Sequence, residues 1–302
     1  MGQAMRNPFS LSAENFTFVG ESLSRPECIV AEANGDLWIS DNRGSATHIA
    51  GDGTQKLIGT LGGKPNGMTM DETGNLLMAN IALRKFYRVF RDGTHDVFLD
   101  EIDGAPVGAA NFVGRDHAGR LWLSVSSRLD NHLDALERDV PDGYVILIDE
   151  TGPRIVVDGL LFTNEVRVDP NGKHLYMSET RAGRVSRAPI FADGTVGQKE
   201  VFGPSPLQDG ALIDGITFDS AGNLWVTEIT RNQLYVIQPD GVCHLAFEDP
   251  TGEILDHPSS ITFAGTDLCT AYVGGLNMTR LASFQATIPG LKPAHWYDGR
   301  DY

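Results

Sequence analysis

Short apolar runs alternate with polar turns along nearly the whole chain, and this alternation itself repeats. ECIVAEANGDLWISD at 27–41 aligns with NGMTMDETGNLLMAN at 66–80, NFVGRDHAGRLWLSV at 111–125, NEVRVDPNGKHLYMSE at 164–179 and DGITFDSAGNLWVTE at 214–228. SSITFAGTDLCTAY at 259–272 is a degraded sixth copy. In the first five copies a glycine follows the leading residue by eight positions, at Gly35, Gly74, Gly119, Gly172 and Gly222. A glycine between two short apolar runs is the signal of a β-hairpin. A second turn follows in most copies, GDGT at 51–54, RDGT at 91–94, DETG at 149–152, ADGT at 192–195 and PDG at 239–241. Each unit is therefore about four short strands. Successive leading residues lie 39, 45, 53, 50 and 45 positions apart. That period predicts propeller blades. The expected fold is all-β: one six-bladed propeller over residues 1–302, with four antiparallel strands per blade.

Two segments depart from the repeat. Phe16–Glu21 precedes the first copy and is expected to pair with C-terminal strands, because an open ring leaves unpaired edges. SSRLDNHLDALERDVPDG at 126–143 lengthens blade three. Leu129, Leu133 and Leu136 stand there at helical spacing, which reads as a short helix serving as a lid or as a plain surface excursion.

Charge and cysteine usage narrow the partners. The 302 residues carry a formal net charge of −16, which disfavours phosphate backbones and anionic lipid and favours cations. The expectation is a small-molecule substrate, with neither nucleic acid nor membrane as partner. Cys28, Cys243 and Cys269 show no paired spacing, so neither a disulfide framework nor a thiolate zinc site is implied. The first residues lack the apolar run of a signal peptide, and a cytoplasmic protein is expected.

The first strand of a propeller blade lines the central channel. The leading residues are Glu27, Asn66, Asn111, Asn164, Asp214 and Ser259, and equivalent positions converge on one level. Strand cores ordinarily carry Val, Ile or Leu, and buried charges are costly unless paired or metal-bound. No Lys or Arg leads a repeat to neutralise the two acids. One divalent cation would satisfy these oxygens together. Such donors suit Ca²⁺ first, then Mg²⁺, Mn²⁺, Fe²⁺ or Zn²⁺. The alternative is a wet channel in which they bind water.

The repeat segments resemble the regucalcin, gluconolactonase and luciferin-regenerating-enzyme family of six-bladed propellers. DGITFDSAGNLWVTE at 214–228 is the most specific stretch, with TNEVRVDPNGKHLYMSET at 163–180 and PECIV at 26–30. The resemblance implies Glu27, Asn164 and Asp214 as metal ligands. Asn111 matches a fourth ligand in some relatives and a substrate-holding Asn in others. The chain departs from the family where Glu-Gly-Pro becomes Glu27-Cys28-Ile29, Asn-Gly becomes Asn164-Glu165, and Asn-Asp becomes Asn111-Phe112. The sugar-binding Arg two residues before that Asn is Ala109. These changes suggest a pocket less suited to sugar lactones, lined by Asn66, Asn111 and Phe112; Phe112 and Phe162 read equally as core.

A bound cation polarises a lactone carbonyl, and a nearby base must accept the proton of the attacking water. Asp214 is the candidate base. His257 is a second catalytic candidate, or a loop histidine before Pro258. Strand alternation turns Glu165 away from the channel. Neither GxSxG nor HExxH occurs, which favours water attack. Arg43, Arg84, Arg128, Arg181 and Arg231 follow the second strands and form either a positive collar or bridges to acids such as Asp41, Glu179 and Glu228. Arg128 is the candidate substrate-binding member. The expected activity is metal-dependent hydrolysis of a small lactone or related ester. The alternatives are an isomerase, lyase or phosphotriester hydrolase on the same scaffold, and a non-catalytic binding propeller.

Overall fold

The computed structural model describes residues 7–297. Six four-stranded antiparallel sheets follow one another along the chain. Their innermost strands are Ile29–Ala31, Pro65–Met70, Ala110–Arg115, Thr163–Val168, Ile213–Phe218 and Pro258–Ala264. The hairpin glycines that mark the repeat all adopt left-handed φ: 94° at Gly35, 83° at Gly74, 81° at Gly119, 69° at Gly172 and 82° at Gly222. A β-carbon is disfavoured in that conformation, which is why glycine recurs there. Among the described residues no helix is long and apolar enough to cross a membrane.

The ring closes as the chain's edges require. Thr17–Val19 pairs antiparallel with Leu281–Gln285 and becomes the outermost strand of blade six. Just ahead of it, Phe16 packs on Phe247 and Phe284, with ring centroids 4.5 and 5.4 Å away. The first and last parts of the chain thus share one blade, which leaves no open blade at the seam.

The blade-three insertion forms one helical turn, Asp134–Glu137. The leucine spacing does not make an amphipathic helix: Leu133 is exposed, Leu129 and Leu136 are half-buried, and Ala135 is the buried residue of the turn. Backbone contacts position this segment instead. Arg84 of blade two reaches across to Leu129 O (3.0 Å), Arg128 O (3.1 Å) and Asp130 Oδ1 (3.0 Å). The His132 ring lies 6.4 Å from Phe162 of blade four. The insertion therefore runs over the rim from blade two to blade four.

The acids of the D-x-x-G-x-L-W motif shape the turns. Asp116 and Asp219 accept hydrogen bonds from turn amides and from Trp122 and Trp225 Nε1 (2.9 and 3.4 Å). Glu32 does the same for Trp38 Nε1 at 2.7 Å and also pairs with Arg91. Its neighbours Asp36 and His48 bind each other at 2.8 Å, and Gly51 N donates to the second Asp36 oxygen. Glu32, Asp36 and His48 cluster closely enough to suggest a metal site, but their polar atoms are already engaged within the fold.

Candidate functional site

Five of the six innermost strands carry a β-bulge, and each bulge falls on the leading residue. The register slips between Pro65 and Met68, Ala110 and Phe112, Thr163 and Val166, Ile213 and Ile216, and Pro258 and Ser260. A bulge re-aims the side chain it contains. In blade one Glu27 lies just ahead of its strand. There the Cys28 N–H donates to Ser40 Oγ at 2.9 Å, as the Gly215 N–H donates to Thr227 Oγ1 at 2.8 Å in blade five.

The leading residues touch around the channel. Ser259 Oγ donates to Glu27 O at 3.3 Å, and Asn66 Nδ2 donates to Asn111 O at 2.9 Å. Asn66 lies against the Glu27 carboxylate, and Asn164 against that of Asp214. Two amides are anchored from behind: Asn111 Nδ2 donates to Ser126 Oγ (2.9 Å) and Asn164 Nδ2 to Thr180 Oγ1 (3.1 Å).

The outward oxygens are left without partners. Among the described residues, eleven buried side-chain polar atoms lack a hydrogen bond. Five of them are Glu27 Oε2, Asn66 Oδ1, Asn111 Oδ1, Asn164 Oδ1 and Asp214 Oδ1. Buried acceptors are rarely left unsatisfied. All five being oxygen, and two being carboxylates, the set fits a hard divalent cation.

Electrostatics point the same way. Burial is the largest effect on Glu27 and pushes its carboxyl up to about 7; Arg25 opposes and Glu165 reinforces it. Asp214 is raised well above the usual carboxylate range, by burial first and then by Glu27 and Glu165. Two buried acids close enough to repel each other favour either a proton or a cation between them.

Beneath the ring lies a floor. Glu165 Oε2 accepts from Arg167 Nη2 (2.9 Å) and from Ile216 N (3.2 Å), and its charge acts on Glu27, Cys28 and Asp214. It stays beside the channel and does not turn away from it, because the bulge between Thr163 and Val166 breaks the strand alternation. Arg167 stacks 4.3 Å over Phe112. Phe112 is fully buried against Gly67 and belongs to the core between blades. Below this floor a cavity of about 420 Å³ opens on the opposite end of the channel, crossed by Leu291–His295. It contains none of the leading residues.

Other candidates lie outside the ring. Arg128 points outward, forked on Asp158 (3.0 and 2.9 Å) and stacked 4.1 Å over Tyr144. His257 sits on the rim with Nδ1 2.6 Å from Asp256 Oδ1 and 3.1 Å from Asn277 Nδ2. Arg43 is forked on Asp41, Arg181 pairs with Asp139 at 3.2 Å, and Arg231 binds Gln208 Oε1 at 2.8 Å. With Arg84 holding the insertion, all five arginines have partners, but only Arg84 and Arg181 reach an acid outside their own blade, and Arg231 is held by Gln208 and the Asp209 carbonyl. Glu179 and Glu228 are occupied differently: Glu179 accepts from Arg184 and Ser186, and Glu228 from Leu212 N, Thr230 and the Arg231 amide.

Three residues escaped the sequence reading. Arg25 brings Nη1 to 3.7 Å from Glu27 Oε2, outside hydrogen-bonding distance, and donates to Pro65 O at 3.2 Å. Lys64 is exposed immediately before the inner strand of blade two. His132 is pushed below its usual value by burial and then by Lys64, Arg25 and Arg84. Arg25 and Lys64 each stand two places before a leading residue, so the alignment held that signal. His132 lies in the insertion, outside any repeat.

A six-bladed propeller with buried oxygens converging from separate blades defines the class. The chain belongs to the SMP-30/Gluconolactonase/LRE-like family, whose pattern matches residues 25–276. It is 26% identical over 177 residues to a 6-deoxy-6-sulfogluconolactonase of Pseudomonas putida, covering 58% of this chain and 55% of that one. It is 33% identical over 200 residues to a pentonolactonase of Haloferax volcanii, covering 61% and 64%. The matches thus span only part of these relatives. Among solved structures, a gluconolactonase from Xanthomonas campestris superposes with a TM-score of 0.71 at 19% identity, covering 90% of this chain and 88% of that one. Regucalcin from Agrobacterium tumefaciens, described as a calcium-binding protein, gives 0.67 at 14%, covering 91% and 96%.

Proposed function

We propose that this protein hydrolyses a small lactone, or a related ester, with one divalent cation held in the channel. The observation that carries the reading is the set of five unpartnered buried oxygens from five blades. The lactonase activity named for both curated relatives supports the reaction class, and the calcium-binding description of regucalcin supports the cofactor.

Glu27, Asn164 and Asp214 would hold the cation, with Asn111 as a fourth donor. When bound, a divalent cation withdraws charge from a lactone carbonyl and acidifies water. The remaining work falls to the chain. Asn66 orients the substrate through its free carbonyl oxygen, which accepts from a substrate hydroxyl. Asp214 Oδ1 has no partner and accepts the proton of the attacking water. The floor of Phe112, Arg167 and Glu165 closes the channel behind the substrate, and the insertion narrows the front. A buried, fixed set of dipoles needs little reorganisation as charge develops.

The test is a panel of γ- and δ-lactones and aryl esters, followed by proton release. Turnover is expected to vanish with chelator and return with calcium. Asp214→Ala is expected to lower kcat/KM by about a thousandfold, within the range of general-base removal. An Asp214→Ala protein turning over at the parental rate would refute the assignment of the base.

A further inference from the structure

Two places before each leading residue stands a second set of equivalent positions, and its composition is lopsided. In blade order it reads Arg25, Lys64, Ala109, Phe162, Leu212 and His257. Arg25, Phe162 and His257 share left-handed backbone, with φ of 54°, 56° and 55°, which supports their equivalence. A non-glycine residue in that region is uncommon and costs energy, so three repeats of it mark a constrained site. Here the chain turns into the inner strand, one step outside the oxygen ring. Blades six, one and two present basic residues; blades three, four and five present apolar ones.

Partners separate the three basic residues. His257 is engaged with Asp256 and Asn277. Arg25 is half-buried, and the nearest acid to it is Glu27, at 3.7 Å. Lys64 is exposed and makes no ion pair among the described residues. Arg84, the other cation facing His132, is committed to the insertion.

Charge balance then leaves a surplus. Glu165 is neutralised by Arg167 at 2.9 Å. A divalent cation between Glu27 and Asp214 would balance both of those carboxylates. Arg25 and Lys64 would then present two positive charges on adjacent blades with no acid to match them. A half-buried guanidinium without a counter-charge is unfavourable, and an anionic ligand removes that cost.

We propose that Arg25 and Lys64 form an anion-recognition pair, so that the substrate carries a carboxylate or sulfonate directed at blades one and two. The inference rests on the cation-dependent lactonase reading and adds the chemical class of the substrate.

Calorimetry on the calcium-loaded protein tests it through binding. The probes are 2-hydroxyglutarate, the ring-opened acid of 5-oxotetrahydrofuran-2-carboxylate, and 4-hydroxybutanoate, which lacks the second carboxylate. The native protein is expected to bind the diacid about tenfold more tightly, the size of one modest charge-assisted contact. Lys64→Met and Arg25→Met should each remove most of that preference while leaving the affinity for 4-hydroxybutanoate within about twofold. Lys64 is exposed, so its variant tests the idea even if Arg25→Met misfolds. Sulfonate and carboxylate are told apart by repeating the titration with 4-hydroxy-5-sulfopentanoate, which keeps the ring-opening carboxylate and carries a sulfonate as its second anionic group. Equal affinity for the two acids in the native protein, or variants that weaken both alike, overturns the proposal. If the diacid preference holds but no lactone is hydrolysed, the pair stands and the reaction class falls. If lactones turn over and the second carboxylate is ignored, the reverse is true.

Discussion

A methyl group at position 215 would collide with the backbone of Ser259 in the neighbouring blade, although Gly215 has ordinary negative φ. Gly67 is confined in the same way by Phe112 and Asn111 O. Glycine after a leading residue is thus a packing requirement, distinct from the left-handed glycines of the hairpins. Gly215→Ala is expected to cost about 1–3 kcal/mol, as overpacking of a tight core does, and denaturant unfolding would read it. A loss below about 0.5 kcal/mol would mean that the inner strands can part at little cost. At Glu27 the measurable quantity is pH dependence. Its raised carboxyl, about 7 against an ordinary 4.5, means that the folded chelated protein binds more protons than the unfolded chain between those values. Stability must then fall as pH rises through that window. His132, whose value is lowered, acts in the opposite sense, so the comparison is with Glu27→Gln. Chelated native protein should lose melting temperature relative to that variant from pH 5 to pH 7, and saturating calcium should abolish the difference. A flat difference in chelator would disprove the raised Glu27 carboxyl and the burial that causes it.

The element that closes the ring is three residues long, yet it joins the two halves of blade six. Phe16 anchors it against Phe247 and Phe284. Phe16→Ala is expected to cost about 3 kcal/mol, as buried aromatic truncation does, and to speed amide exchange in Leu281–Gln285 before other blades. Uniform exchange across all blades would show instead that the propeller opens as one unit. The insertion behaves differently. Its leucines sit at helical spacing, but the chain makes a single turn there because its contacts come from Arg84 and Phe162. The bulges are the other lesson at this scale. Alternation alone would turn a leading residue toward the channel or away from it, and an extra residue in the strand alters that choice.

Across the whole molecule, two ends of one channel have different characters. One end has the oxygen ring, Arg25, Lys64 and the insertion. The other has the 420 Å³ cavity crossed by Leu291–His295, with His295 Nε2 2.7 Å and Trp296 Nε1 2.7 Å from Ala31 O. Arg167, Glu165 and Phe112 separate them. The candidate chemistry therefore belongs to the face where the inner strands begin. The net charge of −16 gives this face a contrast, because Arg25 and Lys64 are a local exception to the surrounding sign.

Periodicity determined the blades, their number, the closing strand and the six leading residues, because a repeat records which positions are equivalent without needing their coordinates. The acids of the turn motif, the glycines at left-handed φ and the family resemblance were legible for the same reason. What no local pattern could decide was direction and company. Phe112 went into the core, Arg128 turned outward to Asp158, and His257 turned to Asp256. Arg25 came within 3.7 Å of Glu27, and an unrepeated insertion put His132 beside Phe162. Those outcomes depend on bulges and on contacts between blades far apart in sequence, where the position of one side chain is set by neighbours that its own segment does not encode.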